Sequence, residues 1–125
     1  MAKRVLDVGQ CGPDHSAIRT YLTRNFGCEV VQVDDAAAAI AQLTSAHFDL
    51  VLVNRKLDMD YSDGIEVIRA IKANSATAAV PLMLVTNYPE HQAAAIAVGA
   101  IRGFGKLEFG KPETRAALAA VLEAP

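Results

Sequence analysis

The chain has no tryptophan, a 6% share of aromatic residues, two cysteines and no long hydrophobic run. Each shortage excludes something. Cys11 and Cys28 form no metal-type spacing and read as free thiols. His15, His47 and His91 show no ligand spacing either. No apolar stretch approaches the roughly 18 residues that cross a bilayer, and Met1-Ala2-Lys3-Arg4 lacks a secretory apolar segment. The expected compartment is the cytoplasm, away from any membrane. Positive charge is also scarce. A formal net charge of −2 argues against a nucleic-acid surface, since phosphate backbones select basic patches.

What is plentiful is small and aliphatic. Hydrophobic residues make up 52% of the chain, with a large share of alanine, which suits closely packed helices. At 125 residues the chain is expected to form one domain, residues 1–125, with enough length to bury a core. Nothing resembles a linker, repeat or low-complexity tail, and the expectation is a stand-alone unit.

Short β-branched runs alternate with helical stretches, the pattern of a parallel α/β sheet. Residues 5–9 form the first strand, and Gly12-Pro13-Asp14 opens a helix with Ile18, Tyr21, Leu22 and Phe26 at helical spacing. Residues 29–33 form the second strand. Asp34 or Asp35 caps the next helix, whose core side carries Ile40 and Leu43. Residues 49–54 are apolar on both faces, as a central strand covered by helices must be. A charged loop follows. Ser62 or Asp63 then caps a helix with Ile65, Ile68 and Ile71 inward. A fourth strand over 80–86, a fourth helix over 89–98 and a glycine-broken fifth strand over 101–106 come next. Pro112 suits the first turn of a last helix, where its missing N–H is harmless.

Taken together, several stretches carry a family likeness: Lys3-Arg4-Val5-Leu6 with Arg19, Phe48-Asp49-Leu50-Val51-Leu52-Val53, and Asp63-Gly64-Ile65-Glu66-Val67-Ile68. Val80-Pro81-Leu82-Met83-Leu84-Val85-Thr86, Gly99-Ala100 and Lys106 continue it. In order and spacing the whole chain resembles the CheY-like receiver domain of bacterial two-component response regulators. That resemblance implies a flavodoxin-like three-layer α/β/α sandwich with a five-stranded parallel sheet, order 2-1-3-4-5. Its site lies at the carboxyl ends of the strands.

The resemblance also implies a chemistry. Family members hold Mg²⁺ with an acidic pair after the first strand and an acceptor aspartate ending the third, because the ion wants oxygen ligands. A threonine or serine and a lysine contact the phosphoryl oxygens. Thr86 and Lys106 match those last two positions, but Gly9 and Gln10 fall on the acidic pair and Asn54 on the acceptor. An amide cannot become an acyl phosphate, so no catalytic residue, metal site or Mg²⁺ is expected. Gly103 stands where an aromatic reports phosphorylation, and Leu107 where a proline follows the lysine. The likeness is to a degenerate, pseudo-receiver variant whose remnant pocket comprises Asp7, Gly9, Gln10, Thr86 and Lys106.

Asp7 is out of place in mid-strand, on the same side as Gly9. A buried carboxylate must be neutral, hydrogen-bonded or paired. Either it pairs with Lys106, an internal ion pair replacing metal and phosphate, or it bonds locally to Asn54, Thr86 or a loop amide. Asp58 and Asp60 are the alternative acceptors, although without a metal they lack the electrostatic clamp that phosphoryl transfer uses. Cys11 before a helix reads as an ordinary thiol and His15 as a surface or capping residue. Gly9 and Gly12 faintly suggest a phosphate-cradling turn, but no flavin-stacking tryptophan accompanies them.

The expected function is a non-enzymatic, phosphorylation-independent signalling module in a phosphorelay, acting on a protein partner, a kinase or an output protein. Self-association through the fourth and fifth helices is the other route, with Ala94, Ile96, Ala97, Ala116, Ala119 and Ala120 as interface residues. A receiver phosphorylated by a histidine kinase at an unconventional acid, and a small-anion sensor using the remnant pocket, are the alternatives.

Overall fold

The computed structural model describes residues 2–123. Five strands, β1 (Arg4–Val8), β2 (Glu29–Val33), β3 (Leu50–Asn54), β4 (Leu82–Val85) and β5 (Ile101–Phe104), alternate with five helices. These are α1 (Gly12–Phe26), α2 (Ala36–Ser45), α3 (Gly64–Ala73), α4 (Pro89–Ala97) and α5 (Pro112–Leu122). All strand pairs are parallel and the order is β2-β1-β3-β4-β5, as expected from the sequence.

Alternation along the strands divides the core in two. Leu6, Val8, Val51, Val53, Leu82 and Leu84 pack with Ala39 of α2, Val67, Ile68 and Ile71 of α3 and Ala95 of α4. Val5, Leu50, Leu52, Met83, Val85 and Phe104 point the other way, onto Ile18 and Leu22 of α1 and Leu118 and Leu122 of α5. β3 and β4 are buried on both faces, which is why their sequences are nearly uninterrupted aliphatic runs. Ile65, Ile40 and Leu43 sit half-buried at the margins of the first cluster.

Local chemistry sets the helix ends. The Asp35 carboxylate accepts from the Ala38 N–H (2.9 Å) and Asp63 from Ile65 (3.1 Å), each capping its helix. Gly27 ends α1 in the left-handed region, φ 64°, donating to Thr23 O. Three strands are shorter than the sequence suggested, β3 by the single residue Asp49. Pro81 has no N–H for the β4 ladder, and Gly105 turns its N–H to the Glu108 carboxylate (2.6 Å), which stops β5 at Phe104. No helix among the described residues is long and apolar enough to cross a membrane.

Candidate functional site

The carboxyl ends of β1, β3, β4 and β5 converge on Gly9, Gln10, Asn54, Thr86 and Lys106, the residues singled out from the sequence. Asn54 is half-buried at the end of β3, and its Nδ2 donates to the Gly9 carbonyl at 3.1 Å. The same carbonyl accepts the Asp58 N–H at 2.8 Å. Gly9 itself adopts φ 79°, a conformation that side-chain-bearing residues rarely take. A β-carbon there would overlap the Leu57 side chain.

Leu57 is the residue the sequence reading missed. Residues 55–63 are otherwise charged or polar apart from Met59 and Tyr61, which are exposed, yet Leu57 is only 2% exposed, packed with the apolar cluster and seated on Gly9. The loop is folded back to hold it there. Leu57 N–H donates to Ser62 O, Tyr61 N–H to Leu57 O, and Tyr61 takes φ 58°. Asp58 and Asp60 lie on the outer side of this loop, exposed. Asp60 accepts from the Ser62 N–H (2.9 Å) and hydroxyl (2.6 Å), which hold its carboxyl below the ordinary range.

Asp7 departs from both arrangements expected of it. It is fully buried, and its Oδ2 lies 2.7 Å from His15 Nδ1 in the first turn of α1. With Asp7 ionised, Nδ1–H donates. Burial pushes the Asp7 carboxyl up to about 6, against the opposing pull of His15, the Gln10 side chain and the Lys106 charge. Lys106 does not pair with Asp7, because Asp14, next to His15, takes its ammonium at 2.6 Å. That hydrogen bond, with a smaller one from Cys11, keeps the Asp14 carboxyl below its usual value. Consecutive residues of one helical turn thus engage β1 and the segment after β5. Gln10 is 2% exposed and lies beside Asp7 without hydrogen-bonding geometry; neither carboxamide atom, nor Asp7 Oδ1, has a partner among the described residues.

Beside Asn54 a cavity of about 260 Å³ is lined by Arg55, Lys56, Thr86, Asn87, Tyr88 and Lys106. The Thr86 hydroxyl accepts the Tyr88 N–H at 3.3 Å, and Asn87 Oδ1 accepts that of Leu107 at 3.2 Å. Among the described residues no cluster of three histidine, cysteine or carboxylate side chains has the geometry to hold a metal. Away from the strand ends, Ala94, Ile96, Ala97, Ala116 and Ala120 are exposed and Ala119 is half-buried. Tyr88, Ile101 and Leu107 add exposed apolar surface from α4, β5 and the loop beyond it.

The profile of the response regulator receiver domain matches residues 14–122. The chain belongs to that family. Its fold matches a putative response regulator from Chloroflexus aurantiacus at TM-score 0.83 and 18% identity, over 99% of this chain and all of the other (100%). The receiver domain of the sensor histidine kinase PA1611 from Pseudomonas aeruginosa, with magnesium in its active-site cleft, matches at 0.78 and 20%, over 99% of this chain and 100% of that one. The chemotaxis protein CheY4 of Vibrio cholerae matches at 0.75 and 25%, over 98% and 100%. No curated relative matches the sequence. Family membership implies a place in two-component signalling through contact with other proteins.

Proposed function

We propose that this receiver domain is a phosphorylation-independent, non-enzymatic module of cytoplasmic two-component signalling, working by contact with a protein partner. The partner is a kinase, an output protein or a second copy engaged through α4 and α5. The observation that carries the proposal is Leu57 seated on Gly9. An apolar side chain fills the place where the family likeness puts the first of two metal-binding acids. Mg²⁺ demands near-octahedral oxygen ligands and gives up its water reluctantly. The groups present do not fit it: Gly9 has no side chain, Asn54 directs its nitrogen to a carbonyl, and Asp7 is buried against His15.

Asn54, at the acceptor position, offers an amide that forms no acyl phosphate. Asp14 supplies Lys106 with the anionic partner that a phosphoryl group would otherwise be. Exposure to acetyl phosphate with Mg²⁺, followed by intact-mass measurement, is expected to leave the mass unchanged in the wild type and in Asn54→Asp. A stoichiometric gain of one phosphoryl group in either would overturn the proposal.

The cavity beside Asn54 favours a second reading as a small-anion sensor. Arg55 and Lys56 line it, and neither side chain makes an ion pair among the described residues. Inorganic phosphate without Mg²⁺ should then raise the melting temperature of the wild type but not of Arg55→Met/Lys56→Met.

A further inference from the structure

The ladder between β4 and β5 breaks midway. Met83 pairs with Ile101 and Val85 with Phe104, so a step of two residues on β4 faces a step of three on β5. An extra residue in one strand leaves nearby backbone groups without their ladder partners. Here a side chain from α4 takes them. Gln92, 4% exposed, donates through Nε2 to Leu84 O (2.9 Å) and Thr86 O (3.3 Å). Its Oε1 accepts the Gly103 N–H at 2.9 Å. Both ends of one carboxamide are therefore used, and the donors and acceptors match only one orientation of it.

Gly103 is part of the same unit. A β-carbon there would collide with the Leu84 carbonyl and press on Met83 Cβ at 3.1 Å. Any side chain at 103 would force β5 away from β4 and pull its N–H from Gln92. The bulge, the glycine and the glutamine thus depend on one another. They join α4 to β4 and β5, and Ile96 of α4 and Ile101 of β5 are exposed.

We propose that Gln92 is a positioning residue, a latch that holds α4 and β5 in a single arrangement and presents their shared face without a switching event. The proposal rests on the phosphorylation-independent reading given above and supplies its mechanism. The position that would carry a mobile reporting aromatic is instead occupied by a backbone amide tied to α4. Bulge geometry is built into β5, so the tie is made whenever the sheet is folded.

Hydrogen exchange followed residue by residue tests the latch. In the wild type the Gly103 amide should be protected to the same degree as the amides of β4. Gln92→Leu should lower that protection, with the α4 amides, by on the order of 100-fold, matching the orphaning of buried backbone groups. Gln92→Glu gives a readout that simple packing loss would not. A neutral carboxyl can donate to Leu84 O and accept from Gly103 as the amide does, whereas a carboxylate cannot donate. Protection of Gly103 in Gln92→Glu should equal the wild type at acid pH and fall below it on ionisation, beyond the decline that the titration of Asp7 gives both proteins. Unchanged protection in Gln92→Leu, or a pH dependence in Gln92→Glu no greater than that of the wild type, would overturn the latch. Beryllofluoride with Mg²⁺ separates the two proposals. If it altered α4 exchange in the wild type, the phosphorylation-independent reading would fall, while the latch would still be judged on the Gln92 variants.

Discussion

Two corners of this domain solve the same problem with opposite chemistry. At the β1–α1 corner, ionisable groups are drawn together: Asp7 with His15, Lys106 with Asp14. At the β4–β5–α4 corner a neutral carboxamide makes the side-chain ties from α4 to the strands. The charged corner leaves polar atoms of Asp7 and Gln10 without partners, whereas none of the buried, unpartnered side-chain atoms belongs to Gln92. Burial of ions is expensive and is repaid only by good geometry, while a fully satisfied neutral group locks a structure at little penalty. The first corner therefore responds to pH, and the second should not.

The largest break in this comparison should come from Gly9→Asp. A left-handed backbone with a β-carbon costs about 1–2 kcal/mol and overpacking against Leu57 about 1–3 more. Urea unfolding should show a loss of about 4 kcal/mol, with the overpacking part recovered in Gly9→Asp/Leu57→Ala. Gln92→Leu comes next, at about 3 kcal/mol, because it orphans buried backbone groups of Leu84 and Gly103. Its effect should be the same at pH 4 and pH 7.

Asp7→Asn should differ on that last point. The folded carboxyl titrates at about 6 against an ordinary 3.8, so between those values the folded state holds a proton that the unfolded state has lost. Stability then falls as pH rises from about 4 to 6 and levels off above. Removing the carboxylate should abolish that slope and stabilise the protein at pH 7 by about 2 kcal/mol, leaving pH 4 unchanged. Thermal melts across this range measure it. The smallest effect belongs to Lys106→Met: both partners of its ion pair are about a third exposed, so the loss should stay under about 1 kcal/mol.

Much of this architecture was legible from residue order. The division of the chain into strands and helices follows from period and polarity, which act locally. The strand order came with the family likeness, and each cap was narrowed only to a pair, Asp34 or Asp35 and Ser62 or Asp63. The site was legible only in part. Asp7 was recognisable as a buried carboxylate because strand alternation fixes the side it faces, but its partner was not. His15 comes to it through the angle at which α1 leaves β1, which no periodicity encodes. Leu57 shares its charged loop with Met59 and Tyr61, both exposed, and nothing in the spacing of the three says which one turns inward. Gln92 was hidden for another reason. A glutamine in an alanine-rich helix looks like solvent surface until the bulge it fills is known, and Gly103 hinted only that something came close.

The seat of Leu57 on Gly9 also bears on how this domain can change with time. If the metal site is absent as proposed above, building one would require an acid at position 9, another at position 10, an aspartate at 54 and the withdrawal of Leu57. The first of these steps is strained and crowded while Leu57 remains. Withdrawing Leu57 first opens a cavity in a core that position 9 cannot yet fill. Every order of mutation then passes through a less stable intermediate that does not yet hold a metal. On the phosphorylation-independent reading proposed above, the packing of one leucine acts as a ratchet, easing change among surfaces and partners more than a return to phosphoryl chemistry.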